Sequence, residues 1–64
     1  MTVTVLFKDG SEPAKITISP IIAETLHGPA DAIKVAKQHI GVGRLREWEA
    51  TKGIERWEVE EEFL

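Results

Sequence analysis

The strict alternation of side chains at the start of the chain constrains the fold more than any other feature. Residues 2–8 are TVTVLFK, and the apolar side chains of Val3, Val5 and Phe7 fall on one side of the segment. A period of two built from β-branched and aromatic residues is typical of a β-strand. The sequence therefore predicts a first strand over residues 2–8.

A second alternating segment follows a turn signal. The dipeptide Asp9-Gly10 marks the turn, and Ile16 and Ile18 lie on the same side of the segment that follows it. We expect a hairpin whose second strand covers residues 15–19. Pro20 ends that strand, and residues 21–27 leave two alternatives open, a helical turn or an irregular crossing.

A helix is predicted over residues 29–40. Pro29 suits the first helical position, where the missing N–H is not needed, and Asp31 complements the positive end of the helix dipole. Gly41 is the natural cap at the other end. Ile33, Ala36, Lys37 and Ile40 project on one side of the helix, flanked by Pro29 and Ala32, and the apolar members of this set form a narrow stripe that would face the sheet.

The last third of the chain predicts a second hairpin. Strands over residues 44–50 and 54–63 would be joined by a turn with Lys52-Gly53 at its tip. Counting outward from that tip pairs Trp48 with Trp57, and residues opposite each other in an antiparallel ladder share a face. The same register pairs Glu49 with Arg56 and Glu47 with Glu58, buries both indoles and Val59, and leaves Glu47, Glu49, Glu58, Glu60 and Glu62 with Arg56 on the other face.

These elements predict an α+β fold of two layers. The order strand, strand, helix, strand, strand (ββαββ) gives a four-stranded sheet with one helix packed on one face. A chain of 64 residues has room for a single core, so residues 1–64 are expected to form one domain. Without cysteine the chain has no disulfide to support that core.

This layout resembles the β-grasp arrangement of the immunoglobulin-binding domain of protein G. The points of similarity are the Gly41-Val42 exit from the helix, Trp48 on the third strand and Ala50-Thr51-Lys52 in the last turn. The resemblance implies that the first and last strands are parallel neighbours at the centre of the sheet. A plain meander is the alternative topology, and immunoglobulin binding is not implied.

The negative charge of the chain is concentrated at one end. The net charge of −3 arises entirely from residues 44–64, in which four basic residues face seven glutamates. This excess disfavours direct binding to nucleic acid and favours a basic protein surface as the partner. The candidate partner-binding residues are Glu47, Glu49, Glu55, Glu58, Glu60, Glu61 and Glu62.

The chain shows no pattern typical of an enzyme, a metal site or a cofactor site. His27 and His39 are twelve residues apart, and no serine or threonine has a base at a recognisable spacing. No long apolar segment and no signal peptide are present, so we expect a cytoplasmic protein without membrane contact. We expect no catalytic residues, no metal and no cofactor.

A small acidic domain with a glutamate-rich sheet face resembles, by type, the phage and mobile-element inhibitors that mimic nucleic acid, the anti-CRISPR proteins among them. The resemblance implies a monomer or weak dimer that blocks a basic nucleic-acid-binding surface of a host effector. The alternative is a structural or assembly module that binds a protein partner by strand addition at an exposed sheet edge.

Overall fold

A computed structural model describes residues 1–61, and these form three strands and three helices. In chain order they are β1 (Thr2–Phe7), β2 (Ala14–Thr17), α1 (Pro20–Ala23), α2 (Pro29–Ile40), α3 (Val42–Thr51) and β3 (Ile54–Glu60). The α+β class expected from the sequence is confirmed. No helix among these residues is long and apolar enough to cross a membrane.

The three strands form one antiparallel sheet in the order β2-β1-β3. The central strand, β1, pairs Val3 with Ile16 of β2 and with Val59 of β3. Paired residues share a face, so the apolar side chains of all three strands collect on one side of the sheet. The predicted alternation is confirmed, because Val3, Val5 and Phe7 are all buried.

The helix α2 covers this apolar face. It has the predicted bounds, with Pro29 at its start and Gly41 as its C-terminal cap. Ala32 and Ala36, one turn apart, are fully buried against the sheet. Their small side chains let the helix lie close to β1 and β3, the strands that it contacts. The core consists of Val3, Val5, Phe7, Ile16, Ile18, Ala32 and Ala36.

The segment between the hairpin and α2 contains one helical turn, α1. Its N-cap is Ser19, whose hydroxyl oxygen accepts a hydrogen bond from the Ile22 N–H at 3.4 Å. Leu26 then packs against the core, whereas Ile21 and Ile22 remain 79% and 46% exposed. The helical-turn alternative is therefore the correct one, but its two isoleucines face outward.

The predicted strand over residues 44–50 is wrong, because these residues belong to the helix α3. Arginine, leucine, glutamate and alanine favour a helix over a strand, and they make up most of the segment. Leu45 and Trp48 stand three positions apart, which places them on one side of a helix, where both are partly buried. The four-stranded ββαββ layout is therefore not confirmed.

The Lys52-Gly53 pair ends a helix instead of forming a hairpin tip. Gly53 has a φ of 73°, and its N–H donates to the Trp48 carbonyl oxygen at 2.9 Å. A glycine with positive φ serves equally well in a tight hairpin turn and in a helix C-cap, so the dipeptide alone does not distinguish them.

The register between the last two predicted strands is consequently wrong as well. Trp57 pairs with Val5 and Arg56 with Leu6, both on β1. Trp48 instead reaches the core from α3, where its ring meets the Phe7 ring edge-on with centroids 5.3 Å apart. Both tryptophans pack against the core, but from different layers.

The parallel central pair implied by the β-grasp resemblance is also corrected, because β1 and β3 are antiparallel. Two helices, α2 and α3, return the chain to the end of the sheet at which β1 finishes, so that Ile54 pairs with Phe7. The meander is excluded too, since the last strand lies beside β1 and not beside β2.

Candidate functional site

The glutamates singled out from the sequence do not share one sheet face. Glu58 and Glu60 lie on the open face of the sheet, whereas Glu47 and Glu49 are carried by α3. Their separation follows from the helical conformation of residues that were expected to form a strand. Glu55 lies at an irregularity of β3, Glu61 directly follows β3, and Glu62 lies outside the described residues.

Glu55 is the extra residue of a β-bulge. The register shifts by one between Leu6 and Phe7, so that Phe7 pairs with Ile54 instead of Glu55. Without the bulge, strict alternation with Trp57 would place Glu55 on the apolar face of the sheet. The bulge brings Ile54 against the core in its place and leaves the carboxylate of Glu55 exposed.

Arg56 reduces the acidity of the open face. Its Nε lies 3.0 Å from Glu58 Oε1, and its Nη1 lies 3.6 Å from Glu55 Oε2. The row across the strands from β2 to β3 is Lys15, Thr4 and Glu58, so the open face carries both signs of charge. The mostly acidic face expected from the sequence, with Glu47 and Glu49 beside Glu58 and Glu60, is therefore not formed.

Two of the acidic residues come together elsewhere. Glu49 of α3 and Glu55 of β3 line one shallow depression, which also contains Lys37, Arg56 and Trp57. The Lys37 Nζ lies 5.5 Å from the centroid of the Trp57 ring, a cation–π distance. Glu58 and Glu60, by contrast, lie on the open face of the sheet.

The opposite edge of the sheet, β2, presents unpaired backbone groups. The Ile18 N–H donates to the Met1 carbonyl oxygen at 2.8 Å, and the Met1 amine donates to the Ile18 carbonyl oxygen at 3.5 Å. Bonded and non-bonded pairs alternate along an antiparallel ladder, so Thr17 and Lys15 occupy the non-bonded positions. Their N–H and C=O groups consequently point away from β1, and within residues 1–61 no strand pairs with them.

A groove runs beside this edge. It lies between β2 and the helical layer and has two parts. One part of the groove has a volume of about 470 Å³, and the other, toward α1, has about 210 Å³. Ile16, Thr17 and His39 line both parts, so the two are continuous. We call this feature the β2 groove. Its other lining residues are Ala14, Lys15, Ile40, Arg44 and Trp48 in the first part, and Ile18, Ser19, Ile22 and Val35 in the second.

The lining of the β2 groove combines apolar and basic side chains. Ile40 and Trp48 are partly buried at its helical wall, whereas Lys15, His39 and Arg44 are exposed around it. No aspartate or glutamate lines either part. The molecule is thus basic along β2 and acidic along β3. The β2 groove was not predicted, because its walls come from elements distant in sequence.

One carboxyl group of the described residues has a shifted pKa. Hydrogen bonds from the Ser11 side chain and backbone hold the pKa of Asp9 below its ordinary value, and the Ser11 N–H lies 2.8 Å from Asp9 Oδ1. These bonds lie in the loop between β1 and β2. Among residues 1–61, no group of three His, Asp or Glu side chains is placed to hold a metal ion.

Comparison with known proteins does not identify a relative of this chain. No family model matches the chain, and neither the curated proteins nor the solved structures contain a match.

Proposed function

We propose that the protein is a small non-enzymatic binding module that receives an extended segment of a partner protein on the free edge of β2. The observation that carries this proposal is the outward direction of the Lys15 and Thr17 backbone groups, beside the β2 groove. In strand addition, main-chain hydrogen bonds supply sequence-independent affinity and neighbouring pockets supply specificity.

Binding by strand addition requires both the backbone hydrogen bonds of β2 and apolar contacts in the β2 groove. Lys15 and Thr17 offer two donors and two acceptors, and each hydrogen bond contributes about 0.5–1.5 kcal/mol net. Association costs at least about 4 kcal/mol in lost translational and rotational freedom, so the backbone bonds alone give weak binding. Apolar contacts with Ile40 and Trp48 in the β2 groove would provide the remaining affinity.

The edge formed by β3 is less suited to strand addition. Glu55 and Arg56 place charges at one end of it, and the bulge at Glu55 interrupts the regular spacing of its backbone groups. A bulge is a common device that prevents a sheet edge from pairing, and the β1–β2 register shows none. The two edges therefore differ, and β2 is the one open to a partner.

The test removes a single outward donor. Thr17→Pro deletes the Thr17 N–H without removing a hydrogen bond between β1 and β2, and Thr17→Ala is the matched control that retains it. A random linear peptide library displayed on phage is selected against the wild type, and selected peptides are titrated into all three ¹⁵N-labelled proteins. We expect amide shifts along β2 and a loss of binding in Thr17→Pro only. Equal binding by both variants, or shifts confined to another surface, would refute strand addition at this edge.

A second candidate function uses the acidic side of the molecule. Glu49 and Glu55 share a depression, Glu58 and Glu60 lie on the open face of β3, and Glu61 directly follows that strand. This arrangement favours contact with a basic surface, as in phage or mobile-element inhibitors of the anti-CRISPR type that mimic nucleic acid. The partner would then be a nucleic-acid-binding complex of the host.

Charge reversal distinguishes this candidate from strand addition. Glu58→Lys/Glu60→Lys alters the acidic side, and Glu12→Lys/Glu24→Lys makes the same change in net charge at exposed positions elsewhere. In pull-downs against host nucleic-acid-binding complexes at two salt concentrations, inhibition by mimicry predicts loss of binding only in the first variant. Equal loss of binding in both variants would show that the interaction depends on the net charge of the protein and not on the positions of Glu58 and Glu60.

A further inference from the structure

We infer that the β2 groove selects an extended segment of another protein in which acidic side chains alternate with apolar ones, an inference that rests on the proposed strand addition. It specifies the partner's chemistry, which the free backbone edge by itself leaves open.

The alternation follows from the two faces of β2. Ile16 points toward the helical layer, while Lys15 and Thr17 project from the open face of the sheet. A strand added at roughly 4.8 Å beside β2 would have the same pleat, so its residues would enter the groove and face solvent in turn. The partner therefore needs two kinds of side chain at alternating positions.

The groove-facing positions require apolar side chains. The helical wall exposes parts of Ile40 and Trp48, and Ile22 extends the apolar surface at the far end, where it is 46% exposed. An apolar side chain seated there removes these surfaces from water without leaving a polar group unpaired.

The solvent-facing positions require acidic side chains. Lys15 stands on the open face where it would lie directly beside a residue of the added strand, and opposite charges across strands attract. Arg44 and His39 stand at the rim of the groove, and no carboxylate lines it. Lys15 on the open face and Arg44 on the helical side would both repel a basic segment and attract an acidic one.

A second copy of this chain does not meet the requirement. Its β3 has the right alternation, in the order Trp57, Glu58, Val59, Glu60. However, Trp57 and Val59 pack against their own core, and Lys37 lies over the Trp57 ring at 5.5 Å. These side chains are not available to enter the groove of a neighbour, which excludes β3 of a second copy, and the proposed occupant is therefore a segment of a different protein.

The experiment uses three blocked seven-residue peptides in which valine alternates with glutamate, threonine or lysine. Each is titrated into the ¹⁵N-labelled full chain, with the two indole N–H signals as internal reporters. Trp48 lines the β2 groove and Trp57 does not. We expect the glutamate peptide to bind at least tenfold more tightly than the lysine peptide, to move the Trp48 signal and to leave the Trp57 signal in place. The preference should shrink at high salt.

Matched variants localise the preference. Lys15→Glu should reverse the order of the glutamate and lysine peptides, whereas Lys34→Glu, at an exposed position of α2 away from the groove, should preserve it. Equal binding of all three peptides at β2 would overturn the acidic preference and leave strand addition standing. Failure of every peptide to perturb β2 would overturn strand addition itself. Concentration-dependent sedimentation that Lys15→Glu abolishes would identify a second copy as the occupant and overturn the inference.

Discussion

Replacement of Gly53 tests how tightly the connection between α3 and β3 is held. Gly53 has a φ of 73°, and a Cβ atom placed there would lie 3.3 Å from Lys8 Cβ and 3.2 Å from Lys8 Cδ. Lys8 cannot retreat freely, because its N–H donates to the Gly53 carbonyl oxygen at 2.9 Å. Gly10 is the matched control, since its φ is 81° but nothing lies within 4 Å of an added Cβ.

The magnitudes follow from these two environments. A left-handed backbone conformation destabilises the folded state by about 1–2 kcal/mol for an L-residue. Alanine also lowers the conformational entropy of the unfolded chain, which stabilises the folded state by about 0.4–1 kcal/mol. Gly10→Ala should therefore lower the free energy of unfolding by about 0.5–1 kcal/mol. Gly53→Ala carries the same cost plus the crowding against Lys8, for which we add about 1 kcal/mol, the lower end of the range for overpacking.

Urea and thermal unfolding of the two variants measure the difference. About 1 kcal/mol corresponds to a gap of roughly 4–8 °C in Tm for a domain of this size. Lys8→Ala removes Cδ but retains Cβ, so adding it to Gly53→Ala should recover only part of the gap. Equal destabilisation by Gly10→Ala and Gly53→Ala, within about 0.5 kcal/mol, would refute the argument from crowding.

Three further changes probe the packing and the surface charges. Trp48→Ala removes the edge-on contact between the Trp48 and Phe7 rings, whose centroids are 5.3 Å apart. Because the Trp48 ring is only partly buried, the free energy of unfolding measured in urea should fall by about 2 kcal/mol. A decrease below about 0.5 kcal/mol would show that Trp48 does not anchor α3. Asp9→Asn tests the lowered pKa of Asp9: the stability from the Ser11 bonds is present above the ordinary pKa of 3.8 and disappears as pH falls through the lower folded pKa. Wild type and Asp9→Asn should therefore converge in acid, and a constant difference across pH would contradict this. Glu58→Gln should change stability by less than about 0.5 kcal/mol, because its pair with Arg56 is exposed, and a larger loss in thermal unfolding would indicate a stronger pair.

The candidate site shows where inference from sequence stops. The glutamates could be named from the sequence, but their grouping depended on a strand at residues 44–50, and that segment is a helix. A strand and a helix project their side chains with different periods. Because residues 44–50 form a helix and not a strand, the glutamates expected on one face lie on separate elements. The β2 groove had no local signal, because β2, α2 and α3 together create it.

Local pattern determined β1, the hairpin and α2, since a period of two, a proline start and a glycine cap act within a few residues. Local pattern also determined the segregation of charge, which is a property of the chain itself. For residues 44–50 the local composition already favours a helix, and the tertiary structure adds the contacts of this segment with Phe7 and α2. Tertiary structure decided the order β2-β1-β3 and left β2 as an open edge. The pairing partner of a strand is a segment distant in sequence, and the periodicity within one strand does not specify which segment that is.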